Sequence, residues 1–141
     1  MKICDVMTDG AVSIEADESV LAAARLLKAK NIGALPVCRK GKLCGMLTDR
    51  DIVLRCVADE RKPSELRVED IMSRGIVCAG PFDELEKAVR LMSGDQVRRL
   101  PVLDSGRLVG IVSLCDLARN SNCDMEAAEA LAEISSGLKR K

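Results

Sequence analysis

The 141-residue sequence has no histidine, tryptophan or tyrosine, and Phe82 is its one aromatic residue. Lack of histidine removes the usual general acid–base and nucleophile-activating partner, and the most common zinc ligand besides cysteine. A core without aromatic rings has to be built from Val, Ile, Leu, Met and Ala. Excess charge is missing as well: 22 Lys and Arg balance 22 Asp and Glu. No long-range field then steers the chain to nucleic acid or an anionic membrane, and an anionic ligand must be held by a few local groups. No apolar run reaches the roughly 18 residues of a membrane span. Met1–Asp5 carries no apolar stretch of the signal-peptide kind, so a cytoplasmic protein is expected. There is no Walker loop, no G-x-G-x-x-G and no carboxylate pair that stands out as catalytic, so an enzyme is not expected.

Seven cysteines are present, an odd number with no C-x-x-C pair: Cys4, Cys38, Cys44, Cys56, Cys78, Cys115 and Cys123. They read mostly as small buried apolar residues in a reducing compartment. Cys38 and Cys44 flank one expected turn and come nearest to a redox pair. A metal site would have to be assembled from scattered thiolates, and none is expected.

What the chain does contain is one repeat, twice. Asp5-Val6-Met7-Thr8 returns as Asp70-Ile71-Met72-Ser73, Leu35-Pro36-Val37 as Leu100-Pro101-Val102, and Gly45-Met46-Leu47-Thr48 as Gly110-Ile111-Val112-Ser113. Asp51 returns as Asp116, and every one of these pairs is 65 residues apart with no gap. Each copy reads as β-α-β-β-α. A short extended segment (Ala11–Ile14, Ile76–Ala79) precedes an amphipathic helix. Val20, Ala23, Ala24 and Leu27 in the first copy, and Leu85, Ala88, Val89 and Met92 in the second, share one helical face. Asp83 with Glu86 fits a capping box at the start of the second of these helices.

A hairpin follows in each copy, Ala34–Arg39 with Lys42–Thr48 around Lys40-Gly41, and Leu100–Leu103 with Arg107–Ser113 around Ser105-Gly106. A second helix then runs over Arg50–Ala58 or Cys115–Arg119. The sequence therefore divides into a first repeat at 1–60, a linker at 61–67, a second repeat at 68–120, and a C-terminal amphipathic helix and tail at 121–141. In that last segment Asp124 fits a cap, Met125, Ala128, Leu131, Ala132 and Ile134 form an apolar face, and Lys139-Arg140-Lys141 reads as a frayed end. A repeat of about 50 residues is too small to bury its own sheet face. The expected fold is α+β, with the two repeats packed sheet to sheet as one pseudo-twofold module and a pocket between the sheets.

Candidate chemistry collects where the second hairpin strand turns into a helix. Helix starts leave N–H groups unpaired and carry partial positive charge, which suits phosphate. The hydroxyl of Thr48 or Ser113 adds a donor. A carboxylate one turn on, Asp51 or Asp116, can accept from both hydroxyls of a ribose diol. The same Thr-x-x-Asp and Ser-x-x-Asp are also capping-box patterns that begin a helix with no ligand.

The doubled pattern, with Leu-Pro-Val before each hairpin turn and Gly-h-h-[Thr/Ser]-x-x-Asp after it (h, apolar), resembles a CBS (cystathionine-β-synthase) domain pair, or Bateman module. The likeness runs from Asp5 to Ala118 and is most specific at Gly45–Ile52 and Val97–Val102. Together with its C-terminal helix the chain is similar to short stand-alone bacterial CBS-pair proteins. The resemblance implies two clefts that take AMP, ADP, ATP, NADH or S-adenosylmethionine. Asp51 and Asp116 would hold ribose and Thr48 and Ser113 would sit near phosphate. Ser13, Ala34 and Pro36, and Cys78 and Pro101, would line adenine slots.

The copies differ before the second Leu-Pro-Val, where Arg98-Arg99 replace Gly33-Ala34. The arginine pair resembles a phosphate clamp, and Arg50 is the nearest counterpart in the first copy. The expected function is an adenine-nucleotide-responsive regulatory module without a cofactor, working as a homodimer on an unidentified regulated protein. A ligand-free interaction module and a thiol redox or metal sensor are the alternatives.

Overall fold

The computed structural model describes residues 1–120 and 124–139, with side chains for 1–120 and 128–135. The strands are β1 (Thr8–Asp9), β2 (Ile14–Glu15), β3 (Ala34–Arg39), β4 (Lys42–Thr48), β5 (Arg99–Asp104) and β6 (Arg107–Ser113). The α-helices are α1 (Val20–Lys30), α2 (Asp49–Ile52), α3 (Val68–Ile71), α4 (Leu85–Asp95), α5 (Leu114–Ala118) and α6 (Asp124–Lys139). A 3-10 turn covers Ile3–Asp5, and α2 continues as a π-helical turn over Val53–Val57.

Both hairpins form with the expected turns. Lys40 and Gly41 adopt φ of 53° and 80°, and Ser105 and Gly106 adopt 53° and 82°, the paired positive values that a two-residue hairpin turn demands. β5 extends one residue beyond the expected strand at each end. The extended lead-in segments are shorter than expected: the first contributes Ile14–Glu15 beside β3, and the second one parallel bridge, Ala79 to Val102. Asp83 does not cap α4. The cap position is Glu84, with no side-chain bond, and the Asp83 carboxylate turns back to accept from the Gly80 N–H at 2.8 Å. The helix begins one residue later than the box requires, so Asp83 serves the preceding turn.

The chain forms two compact units, Val12–Ile76 and Met1–Ala11 with Val77–Lys141. In the first, β3 pairs antiparallel with β4 and parallel with β2, and β4 bridges to Ser73 on its other side. In the second, β5 pairs antiparallel with β6, Ala79 lies parallel beside β5, and β1 pairs antiparallel with β6. Thr8–Asp9 and Ser73, which stand ahead of those lead-in segments, are thus built into the sheet of the other repeat's hairpin. A sequence repeat and a compact unit are different objects.

The polar stretch between the repeats is tied down within the first unit. At the start of α1 the N–H groups of Val20 and Leu21 donate to the carbonyls of Leu66 and Pro63. The Ala22 N–H donates to the Ser19 hydroxyl at 3.0 Å, so the exposed donors of the first turn are satisfied. Leu66 is buried at 2% exposure beside Val20, Leu47 and Ile71.

Both cores are aliphatic. One joins Val20, Ala23, Leu27, Leu35, Val37, Leu47, Val68 and Ile71. The other joins Ile3, Leu85, Ala88, Met92, Leu100, Val102, Val112, Leu117, Ala130 and Ile134. Phe82 stands 71% exposed and belongs to neither. In α6 the sequence places the apolar face on Met125, Ala128, Leu131, Ala132 and Ile134. The helix is rotated from that expectation. Ala130 and Ile134 are buried at 0% and 2%, Leu131 is 44% exposed, and Ala128 and Ala132 are exposed. Ala130, small enough for close helix approach, seats α6 against α4 and α5. The side chains of Asp124 and Met125 and the tail at 140–141 lie outside the described residues, as does Cys123.

The repeated glycines of β4 and β6 mark the tightest contacts. A Cβ on Gly45 would lie 2.6 Å from the Met72 sulfur and 2.9 Å from the Ser73 carbonyl oxygen; on Gly110 it would lie 2.7 Å from the Thr8 carbonyl oxygen and 2.8 Å from the Met7 sulfur. Gly45→Ala and Gly110→Ala should each lower stability by about 1–3 kcal/mol through overpacking. Gly94→Ala, which meets nothing within 4 Å in α4, should raise it by about 0.5–1 kcal/mol. Urea unfolding of the three variants tests this, and equal behaviour of all three would contradict it.

Candidate anion-binding site

Each hairpin ends on a hydroxyl residue that opens a helix, and both helix starts are built alike. The Asp51 N–H donates to the Thr48 hydroxyl oxygen at 3.0 Å, while Asp51 Oδ2 accepts from the Thr48 N–H at 3.0 Å. Ser113 and Asp116 repeat this at 3.1 and 2.8 Å. The capping box expected from the sequence is therefore formed twice. It leaves functional capacity unspent. Each hydroxyl accepts in the box and retains its proton to donate. Each carboxylate caps through Oδ2 and keeps Oδ1 for other partners. Arg55 lies 3.8 Å from Asp51 Oδ1, and Arg119 lies 3.6 Å from Asp116 Oδ1. Both carboxylate side chains are only 12% exposed, so these arginines offset the cost of burying charge.

The two ends are not identical. In the first unit Arg55 also donates to the carbonyl of Ile71 at 2.8 Å, filling the space between Asp51 and α3. The equivalent residue in the second unit is Asn120. A cavity of about 190 Å³ remains there, lined by Val6, Asp116, Arg119 and Asn120.

A larger cavity, about 570 Å³, opens in the second unit. Arg98, Arg99 and Ser113 line it with Leu114, Cys115, Ala118, Ala128 and Leu131. Both arginines are exposed. The backbone places them: the Leu114 N–H donates to the Arg98 carbonyl at 2.8 Å, clamping the start of β5 to the start of α5. Two planar cations and a hydroxyl on one cavity are a donor set whose chemistry suits phosphate or carboxylate.

The structure therefore brings together Arg98, Arg99 and Ser113 of the residues singled out in the sequence. Asp116 is joined to Ser113 by the capping box but borders the smaller cavity. Thr48 and Asp51 form the matching box in the other unit, where Arg50 is exposed. Ala34, Pro36 and Pro101 are buried in β3 and β5, Ser13 is exposed before β2, and Cys78 is half-buried. Sequence reasoning missed Cys115 and the wall that α6 supplies. Cys115 had a signal, its place between Ser113 and Asp116. The wall depends on how α6 is rotated.

Among the described residues no three Cys, Asp or Glu side chains converge as a metal site. The six described cysteines are free thiols. The expectation that most are buried does not hold for these six: Cys38 and Cys56 are buried, Cys4, Cys44 and Cys78 are half-buried, and Cys115 is exposed. Cys38 lies opposite Leu43 in the hairpin register.

A CBS-domain family model matches residues 3–57 and 68–122. The chain belongs to the CBS domain family. Its architecture, α+β with two tandem CBS repeats, is that of the family. CBS pairs are regulatory ligand-binding modules, and stand-alone pairs are generally non-catalytic. The CBS domain-containing protein YhcV of Bacillus subtilis is 44% identical over 131 residues, covering 93% of each chain. A crystal structure of Hypoxic Response Protein I with two coordinated zinc ions superposes with a TM-score of 0.79 at 34% identity, covering 85% of this chain and 98% of that one. The CBS domain pair of protein MJ0100, in complex with 5-methylthioadenosine and S-adenosyl-L-methionine, superposes with a TM-score of 0.76 at 29% identity, covering 84% and 94%. No helix of the described residues is long and apolar enough to cross a membrane.

Burial pushes the Cys38 and Cys78 thiols above their ordinary value of 9.0, with a hydrogen bond to Ser13 partly opposing the shift at Cys38. Folding therefore favours the protonated thiols. Their contribution is fully present below the unfolded value and is lost as pH rises through the folded one. The urea midpoint should fall once pH passes about 9, and fall less in a Cys38→Ala/Cys78→Ala variant. Parallel decline of both proteins between neutral and alkaline pH would contradict this.

Proposed function

We propose that the protein is a regulatory sensor of adenine nucleotides and related adenosine compounds, acting on a partner protein through a ligand-dependent change of conformation. The observation that carries this reading is the convergence of Arg98, Arg99 and Ser113 on one cavity of about 570 Å³. The arginine forks take the phosphate, the Ser113 hydroxyl donates to it, and Asp116 Oδ1 accepts from ribose. Thr48, Asp51 and Arg50 offer a weaker version in the other unit. The family resemblance would set the adenine beside Ser13, Ala34 and Pro36 in that unit and beside Cys78 and Pro101 in the second, residues that line neither of the two cavities described above. The adenosine compounds bound by the MJ0100 pair support the ligand class. The work such a ligand does is bounded by its differential affinity for the two states. No residue is assigned a catalytic role.

Calorimetry with AMP, ADP, ATP and NADH provides the test. At least one should bind, and Arg98→Ala/Arg99→Ala should weaken it about tenfold or more, as expected for losing a charge-assisted contact. Asp116→Asn and Asp51→Asn each preserve an acceptor for the capping box while removing the charge, so selective loss in one assigns the unit. Bound ligand should also slow alkylation of Cys115. Absence of heat from all four at millimolar concentration would end the reading.

A homodimer is proposed on a separate observation. Val53, Leu54 and Val57 stand 54%, 48% and 61% exposed on the π-helical turn after α2, an apolar stripe whose remaining burial is worth about 1 kcal/mol per side chain. Light scattering should give a dimer mass for the wild type and a monomer mass for Leu54→Glu. A monomeric wild type would refute it.

A further inference from the structure

Helix α6 lies beyond the residues matched by the CBS family model, which end at 122. It nevertheless forms part of the large cavity. Ala130 and Ile134 anchor it in the core with Leu85, Met92 and Leu117. That anchoring turns Leu131 outward, 44% exposed, and places it with Ala128 on the cavity that Arg98, Arg99 and Ser113 also line. A large aliphatic side chain left wet beside two cations is a cost unless something covers it.

The cavity has two chemically distinct parts. One is cationic and hydrogen-bonding (Arg98, Arg99, Ser113), and the other is aliphatic (Leu114, Ala118, Ala128, Leu131). Inorganic phosphate satisfies only the first. A neutral apolar molecule satisfies only the second and leaves the guanidinium groups unused. An anionic head joined to an apolar body satisfies both.

We propose that this cavity binds amphipathic organic anions, with the phosphate or carboxylate head on Arg98 and Arg99 and the apolar body on Leu131 and Ala128 of α6. The C-terminal helix is then a working wall of the ligand site and sets its preference for an apolar body. This rests on the anion-binding role given to Arg98 and Arg99 above, but not on the ligand being a nucleotide. A ligand that touches both β5 and α6 also stabilises the docked helix, because it binds only when both walls are in place.

The test compares inorganic phosphate, hexyl phosphate and AMP by calorimetry on the full chain, as wild type, Leu131→Gln and Leu131→Glu. Wild type should bind hexyl phosphate at least tenfold more tightly than inorganic phosphate. Leu131→Gln should lose most of that advantage and leave inorganic phosphate unchanged. Leu131→Glu should weaken both, since its carboxylate competes for the arginines. Leu131 is exposed, so the variants should fold; circular dichroism checks this. In unmutated protein, hexyl phosphate should slow Cys115 alkylation more than inorganic phosphate does. Equal affinity of the two phosphates for the wild type, or an advantage that Leu131→Gln leaves intact, overturns the proposal. AMP binding that needs Arg98 and Arg99 while hexyl phosphate shows no advantage overturns this proposal and leaves the nucleotide reading standing.

Discussion

Everything positioned in this molecule depends on the backbone approach over two side-chain-free positions, Gly45 and Gly110. Each lies in the second strand of a hairpin, and each is covered by a methionine and a carbonyl from the segment that leads a repeat. That cover lets Ser73 pair with β4 and β1 pair with β6. Once the leader is laid down, the short helical turn before it is fixed too. The Asp5 and Asp70 carboxylates hold its start by accepting the N–H groups of Lys2 and Arg67. The strand that follows the glycine then delivers Thr48 or Ser113 to the helix start in a defined orientation. Packing at a glycine thereby controls the placement of a hydroxyl and a carboxylate three and six residues downstream.

At those helix starts the capping atoms are the same ones that the proposed function assigns to a ligand. A capping box and a nucleotide grip are often treated as rival explanations of a Thr-x-x-Asp pattern. Here the box uses one carboxylate oxygen and a hydroxyl lone pair; the hydroxyl proton is left to donate, and the second oxygen, which Arg55 or Arg119 approaches at 3.8 and 3.6 Å, retains a lone pair to accept. Cap and proposed grip are compatible, because the cap locks both rotamers in advance and would preorganise the grip. The difference between the copies lies around the box. Arg55 is shared between Asp51 and the end of α3, whereas its counterpart Asn120 leaves space beside Asp116.

Much of this could be read from the chain. The repeat, both hairpins with their positive-φ turns, the faces of α1 and α4 and both helix-start boxes depend on residues a few positions apart, and they formed where the spacing placed them. Arg98, Arg99 and Ser113 stood out because the repeat supplied its own reference, and departures from it were visible. The reading faltered where the partner was distant. Asp83 was assigned to α4 on spacing alone, but Gly80 offered a nearer donor. The face of α6 was drawn through Met125, Ala128, Leu131, Ala132 and Ile134, whereas close helix packing selected Ala130 with Ile134.

The sequence by itself determined that a helix, a hairpin and a second helix would form twice, that the cores would be aliphatic, and that a hydroxyl and an acid would sit at each helix start. Those outcomes follow from composition and from interactions local along the chain. Tertiary structure alone decided which leader segment covers which glycine, how α6 is rotated, and that Cys115, Ala128 and Leu131 share a cavity with two arginines. Those outcomes depend on contacts between residues tens of positions apart, where shape and volume choose among pairings that the local pattern leaves equal.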